Sequence, residues 1–445
     1  MQQILDLHIH SKYSRSCSPE LTLENIEAAC RVKGVDIIAT GDFTYPSWFS
    51  DIKNKLVETK SGSGLYKLKT AKDDKVKFIL STEVALIYKD PGMNPGQVTA
   101  HARRIHLVIH APNIEAVEKL NNYLDKNFNI RSDGRPILGL AAPALMKLCL
   151  SIDKKFLIYP AHIWTPWFAV FGSKSGFNKM EECFHEYTKN VYAIETGLSS
   201  DPEMNWRLSA LDKLTILSNS DAHSLPNIAR EANVFEMKEI NYDEIYNIIK
   251  NKILFEDKKN DLGIKYTIEF YPEEGMYHYD GHRACGISFT PEQTKKQKNI
   301  CPVCKKPLVI GVMNRVDELA DRPVNAFAST GKMVGLNPPK GQAKFIKLVE
   351  LDKIIAEALD IKSRHSKRVQ LIYHNLIKAG VNELNILLNI SLKDLEKIAD
   401  LAIVEGIKRV REGKLIITPG FDGQYGTIKI FSEQEKKKNK QKSLF

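Results

Sequence analysis

The sequence predicts a parallel α/β architecture over its first half, a small module bearing cysteine and histidine after it, and a mainly helical last part. Three observations carry that prediction. Seven β-rich runs alternate with helical patterns between Ile4 and Ser218. Cys285, Cys301 and Cys304 gather near His282. Beyond Asp321 the chain turns Pro/Gly-rich at Asn337-Pro338-Pro339-Lys340-Gly341 and then helically periodic. A length of 445 residues suits about three domains, and 43% hydrophobic residues exclude global disorder. Lys and Arg number 64 against 54 Asp and Glu, a net charge of +10 that modestly favours a polyanionic partner.

The longest apolar stretch, Leu138 to Ile152, is interrupted by Pro143 and Lys147 and falls short of the roughly 20 residues a bilayer requires, so no membrane span is expected. The opening MQQILDLHIH lacks a cationic start and a small-residue cleavage site, which points to a cytoplasmic protein. Of the seven cysteines, Cys17, Cys30, Cys149 and Cys183 are scattered and the other three cluster late. In a cytosolic protein that clustering favours a metal site over a disulfide framework.

The expected strands are Ile4–His10, Val35–Asp42, Val76–Glu83, Arg104–His110, Phe156–His162, Val191–Glu195 and Leu214–Ser218. Their endings carry the functional signal. The first closes on His8 and His10, the second on Asp42, the third on Glu83; the fourth holds His106 and His110, the fifth ends at His162, the sixth at Glu195, and the seventh runs into Asp221 and His223. In a barrel of parallel strands all carboxyl ends open on one face, so these side chains would converge. Residues at i and i+2 of a strand share a face, which lets His8 and His10 point together into one pocket. Imidazole with carboxylate suits Zn, Mn or Fe, and two such ions can activate water and steady a leaving oxygen.

Leu5-Asp6-Leu7-His8-Ile9-His10-Ser11, Thr40-Gly41-Asp42, Glu83, His106-Leu107-Val108, Pro160-Ala161-His162 and Ser220-Asp221-Ala222-His223 resemble the motifs of the PHP (polymerase and histidinol phosphatase) superfamily. With a Cys/His cluster and a further domain behind them, the pattern most closely resembles the endonuclease Q family of DNA-repair enzymes. The resemblance implies a distorted (β/α)7 PHP barrel over 1–255 holding two or three catalytic divalent ions, Zn, Mg or Mn. Carried over residue by residue, it implies His8, His10, Glu83, His162, Asp221 and His223 as metal ligands. Asp42 is assigned as a ligand because Thr40-Gly41-Asp42-Phe43 lacks the histidine of the usual Thr-Asp-His step. His106 is preferred as a further ligand, although His110 lies closer to the carboxyl end. Asp221 and Glu195 are the catalytic candidates, with Glu195 either a ligand or a base. The implied activity is hydrolysis of the phosphodiester 5′ to a deaminated base (uracil, hypoxanthine or xanthine) or an abasic site by metal-activated water, leaving a 3′-hydroxyl and a 5′-phosphate.

A target base in a duplex has to be extruded or unstacked before a pocket can inspect it. Two aromatic loops follow expected strands: Phe43-Thr44-Tyr45-Pro46-Ser47-Trp48-Phe49, and Trp164 through Phe177. Trp164, Trp167, Phe168 and Phe171 are the substrate-binding candidates; sealing of the barrel top is the competing role. His282-x2-Cys285, followed after fifteen residues by Cys301-Pro-Val-Cys304, has the paired-knuckle spacing of one structural zinc over 256–320. His278 is an alternative to His282. Lys295, Lys296, Lys298, Lys305 and Lys306 give the module a basic surface.

Over 321–430 a mainly helical domain is expected. Ser391-Leu392-Lys393-Asp394 has capping-box character, apolar residues from Leu392 to Val410 trace one stripe, and Gly413 is a plausible stop. Lys408, Arg409 and Arg411 serve either the helix dipole or a DNA backbone. Residues 431–445 read as a basic flexible tail ending in Gln441-Lys442-Ser443-Leu444-Phe445, similar to the Gln-x-x-Leu-Phe peptides that dock on sliding clamps. The expected partners are damaged DNA and, through Gln441, Leu444 and Phe445, a sliding clamp, with the protein itself a monomer. Two other readings compete: a PHP-type phosphatase acting on small phosphate monoesters, and a non-catalytic DNA-binding scaffold.

Overall fold

The computed structural model describes residues 1–90, 102–256, 261–323 and 338–435. Six of the seven expected strands form, most of them shorter than the sequence suggests, and the third, Val76–Glu83, divides at Leu80 into Lys77–Ile79 and the start of Ser81–Lys89. Pairing in the first stops at Asp6 because the next amide, Leu7 N, donates to the Asn219 side chain instead of a neighbouring strand.

An eight-stranded sheet runs in the order Lys344–Lys347, Gly263–Glu269, Ala232–Glu236, Gln2–Asp6, Ile37–Ala39, Lys77–Ile79, Leu65–Leu68, Leu56–Glu58. A four-stranded sheet holds Ile137–Leu138, Ser81–Lys89, Ala102–His110 and Leu157–Pro160, and Ala193–Glu195 pairs in parallel with Thr215–Leu217. These pieces meet edge to edge. Lys77–Ile79 runs into Ser81–Lys89 through Leu80, Ile163 N donates to Glu195 O at 3.1 Å, and Ile9 bridges Ala222 in parallel.

Uniformly parallel strands are not what forms. Ala102–His110 is antiparallel to both its neighbours, and Ala232–Glu236, which the sequence reading did not include, is antiparallel to Gln2–Asp6. A reversed strand brings its earlier residues, not its carboxyl end, toward the rim that its parallel neighbours reach last. His110 pairs with Ser81 and His106 with Ala85, which places His106 nearer that rim.

Helices Leu23–Lys33, Pro46–Lys55, Ile114–Asn127, Ala142–Ile152 and Tyr242–Lys250 back the sheets. Three start on side-chain caps: Thr22, Asn113 and Asn241 each accept from a backbone amide of the first turn. Ile114–Asn127 buries Val117, Leu120 and Leu124 at helical spacing, each contributing about 1.5–3 kcal/mol through burial.

The last part is helical: Leu351–Ala358, Lys367–Gly380, Glu383–Leu388, Leu392–Leu395 and Leu401–Glu412. The single stripe expected from Leu392 to Val410 is two helices, because Asp400 is extended (φ −61°, ψ 142°) and starts the second. This part docks on Leu23–Lys33 through a buried ion pair, Lys33 Nζ to Glu383 Oε2 at 2.7 Å. Arg409 pairs with Glu405 and Glu435, and Arg411 donates to the carbonyls of Ile386 and Leu387. Both arginines therefore have structural partners. Strands Gly263–Glu269 and Lys344–Lys347 carry the large sheet across the expected divisions at 255 and 320. Among the described residues no helix is long and apolar enough to cross a membrane.

Candidate active site

Two donor groups meet on one carboxylate. His8, His10, Glu83 and Asp221 offer ligand atoms within 4.8 Å of one another, and so do Glu83, His106 and His162. Glu83 Oε2 lies 3.3 Å from His10 Nε2, while its Oε1 lies 2.8 Å from His106 Nδ1 and 3.2 Å from His162 Nε2. Asp221 Oδ1 is 3.1 Å from His10 Nε2. His8 and His10 flank Ile9, which bridges Ala222, and the reversed strand supplies His106.

These donors fit divalent ions. Among the described residues the buried His8 Nε2, His10 Nε2 and Asp221 Oδ1 make no well-directed hydrogen bond, their close approaches to carboxylates and imidazoles notwithstanding, an arrangement that normally costs stability unless something else satisfies the atoms. Neutral imidazoles and carboxylates at this spacing suit a pair of ions sharing Glu83.

Behind the donors stands a layer that aims them. Glu195 lies 3.0 and 3.1 Å from His8 Nδ1 through its two oxygens, and it also accepts from His162 N at 2.8 Å and Asn219 Nδ2 at 2.8 Å. It is fully buried, and these contacts set it behind His8, outside both donor groups. Asp42, expected as a ligand, belongs to neither donor group. Its Oδ1 is 3.0 Å from His10 Nδ1 and its Oδ2 accepts from Ser11 N, Ser11 Oγ and Ser14 Oγ. Gly41 makes this possible: at φ +64° its missing Cβ would strike Ile9 O. His223 is adjacent but outside both groups, its Nδ1 bonded to Asp221 O at 2.8 Å and its ring centroid 4.6 Å from that of His10. His110 faces Tyr159 OH at 3.1 Å, away from the donors.

The backbone is strained where the donors turn inward. Asp42, His162 and Asp221 have φ of 46°, 30° and 46°, a left-handed region that side chains enter at a cost.

Electrostatics follow from carboxylate excess. Burial opposes charge on His8 and His10, but Glu195 and Glu83 hold His8, and Asp42 with Asp221 holds His10, well above the usual imidazole range. Burial also opposes ionisation of Glu83, yet His106 and Arg135 keep it well below the usual carboxylate range. His106 is pushed down to about 4 by burial, and His110 to about 3. Protons drawn onto such histidines are the ones that bound cations displace.

The aromatic candidates divide. Trp164 and Phe171 are core side chains at 1% exposure, and Trp164 Nε1 donates to Asn205 Oδ1; with no free face, neither is available to stack on a base. Trp167 is 41% exposed and meets Tyr277 edge-on at 5.4 Å, and the half-buried Phe168 lies 4.6 Å from the His106 ring. In the other loop Phe43, Trp48 and Phe49 are buried.

His282, Cys285, Cys301 and Cys304 form a third donor group; His278 lies apart from it. The Pro419–Gly426 loop packs beside this group, Asp422 accepting from Arg283 N at 2.6 Å. Gln441, Leu444 and Phe445 lie outside the described residues. Arg135, Asn219, Ser11 and Ser14 escaped the sequence reading. Only the two serines had a local signal, their closeness to His10.

Comparison with known proteins starts from the far end of the chain, where residues 350–414 match the family model "MJ0043 C-terminal domain". The uncharacterized protein MJ0043 of Methanocaldococcus jannaschii is 33% identical over 272 residues, 60% of this chain but 31% of that protein. The chain thus spans about a third of that relative. The uncharacterized protein YqxK of Bacillus subtilis is 24% identical over 95% of this chain and 98% of its own. Among solved structures, the lesion-specific endonuclease PfuEndoQ from Pyrococcus furiosus superimposes with a TM-score of 0.80 at 27% identity, covering 98% of this chain and 97% of that one. A second, Endonuclease Q with a 27-mer duplex substrate that has an abasic lesion at the active site, gives 0.78 at 27% identity over 97% and 98% of the two chains. Over nearly its whole length the chain is similar in structure to endonuclease Q. The likeness to endonuclease Q takes in the sheets, the Cys/His segment and the C-terminal helices, since nearly the whole of each chain is covered.

Proposed function

We propose that this protein is a DNA-repair endonuclease that hydrolyses the phosphodiester 5′ to a deaminated base (uracil, hypoxanthine or xanthine) or an abasic site. The observation that carries the reading is Glu83, one carboxylate with an oxygen in each of two buried donor groups. Divalent ions held by His8, His10, Glu83, Asp221, His106 and His162 would supply Lewis acidity and an activated water. In the hydrolysis a water oxygen bonds to phosphorus, the P–O3′ bond breaks, and O3′ takes a proton; the products are a 3′-hydroxyl and a 5′-phosphate. Glu195 and Asp42 keep His8 and His10 turned with Nε2 toward the site. The exposed Trp167 and its neighbour Phe168, which lies against the His106 ring, suit contact with an unstacked base. His282, Cys285, Cys301 and Cys304 would hold one structural zinc, and Gln441, Leu444 and Phe445 would engage a sliding clamp.

Duplex DNA carrying one uracil, hypoxanthine or abasic site, incubated with Mg, Mn or Zn, should be nicked immediately 5′ to that nucleotide, and a chelator should abolish the nick. Intact DNA under every metal would overturn the reading. Hydrolysis of a small monoester without nicking would instead make the protein a phosphatase.

A further inference from the structure

A cation stands at the mouth of the site that no motif announces. Arg135 Nη1 donates to Glu83 Oε2 at 3.0 Å, and the Arg135 side chain is 25% exposed where Glu83 is wholly buried. Its guanidinium thus spans from the shared carboxylate toward solvent. Among the described residues its side chain makes no other hydrogen bond, which leaves Nε and Nη2 uncommitted there. Arg230, by contrast, has Nε on Ser220 O and Nη2 near Asp221 O.

The loop holding Arg135 is built for that position. Asp133 Oδ1 accepts from Arg135 N and Arg15 N, Gly134 N donates to Tyr13 O, and Pro136 O accepts from Ala85 N. Any side chain at Gly134 would collide with Ser14 Oγ and Asp42 Oδ2. The glycine lets the loop close against the outer layer of the site, and Arg135 follows over Glu83. An arginine serving only as a counter-ion would need neither exposure nor free donors.

We infer that Arg135 is a further catalytic residue: anchored on Glu83, it offers its remaining nitrogens to a non-bridging oxygen of the phosphodiester being cut. This rests on the endonuclease reading and adds a residue to it. A planar guanidinium presents paired donors that match phosphate oxygens, and negative charge grows on those oxygens as water attacks. Fixed to a buried carboxylate, the group needs little reorganisation to meet that charge.

The test separates phosphate contact from structural support. Arg135→Met should lower the nicking rate about 100-fold, with R135K intermediate because an ammonium lacks the planar fork. The second readout is binding, measured by fluorescence anisotropy in EDTA with uracil duplexes whose scissile linkage is either phosphate or uncharged methylphosphonate. Wild type should bind the methylphosphonate duplex about 10-fold more weakly, and R135M should bind both alike. Equal nicking by wild type and R135M, or equal sensitivity of both to the methylphosphonate, overturns the inference. Should R135M fail to fold, indifference of wild type to the methylphosphonate is enough to overturn it. Should wild type nick nothing, the endonuclease reading has failed and the arginine is judged by inorganic phosphate binding to the metal-loaded protein: weaker in R135K supports a phosphate contact, and equal overturns it.

Discussion

Replacing Glu195 with Gln tests how the site is organised. In the structure Glu195 is fully buried, its two oxygens 3.0 and 3.1 Å from His8 Nδ1, while His162 N and Asn219 Nδ2 donate to it at 2.8 Å each. A glutamine keeps the shape and one acceptor but drops the charge that orients His8 and raises its basicity. Loss of such an outer partner weakens metal binding or activity about 10- to 100-fold, or roughly 1.4–2.7 kcal/mol. The loss should therefore appear mainly in the midpoint of a metal titration of nicking, with the rate largely restored at saturating metal. A general base behaves differently: its removal costs about 10²- to 10⁴-fold in rate, and added metal does not restore it. A Glu195→Gln variant with an unchanged midpoint and a deep loss of rate at saturating metal would refute the orienting role.

Glu383→Ala removes the partner of Lys33 and leaves Tyr373 OH and Leu351 N without their acceptor; unfolding by denaturant should show a loss of about 3–5 kcal/mol, and a loss below about 1 kcal/mol would mean the junction relaxes. Burial raises Glu269 from 4.5 to about 8, so its contribution to stability is whole below about pH 4.5 and is lost as pH rises toward 8. Glu269→Gln should accordingly gain stability relative to wild type between about pH 5 and pH 8.5, and a difference that is constant across that range would count against the assignment. Cys301→Ser should release zinc and lower the melting temperature, checked by metal analysis; retention of a full equivalent would contradict the four-ligand site. Trp167→Ala should weaken binding of a lesion duplex about 10-fold with little change in stability, whereas Trp164→Ala should cost about 3–5 kcal/mol of stability; equal stability losses would remove the distinction between them.

The site was legible in the sequence where the relevant geometry is local. His8 and His10 flank Ile9 at a spacing of two, and Glu83, His162 and Asp221 were expected where strands end, so the structure's two donor groups contain residues the sequence had named, although Glu83 sits inside the strand Ser81–Lys89. What stayed hidden depends on pairing between distant segments. Nothing in Arg104-Ile105-His106-Leu107 tells that this strand runs backward, yet that reversal decides between His106 and His110. Asp42 looks like a ligand until Ser11 and Ser14 are seen closing around it. The aromatic loop after His162 reads alike along its length, although Asn205, distant in sequence, draws Trp164 inward. Arg135 follows a Gly in an ordinary turn sequence, and only the approach of that turn to Asp42 gives it meaning.

The left-handed backbone at Asp42, His162 and Asp221 sets fitness for chemistry against endurance. At His162 the conformation holds about 1–2 kcal/mol that a glycine would relieve, so a library of variants sorted on heat tolerance alone should enrich glycine at 162. The hardiest proteins in that library would be the poorest catalysts.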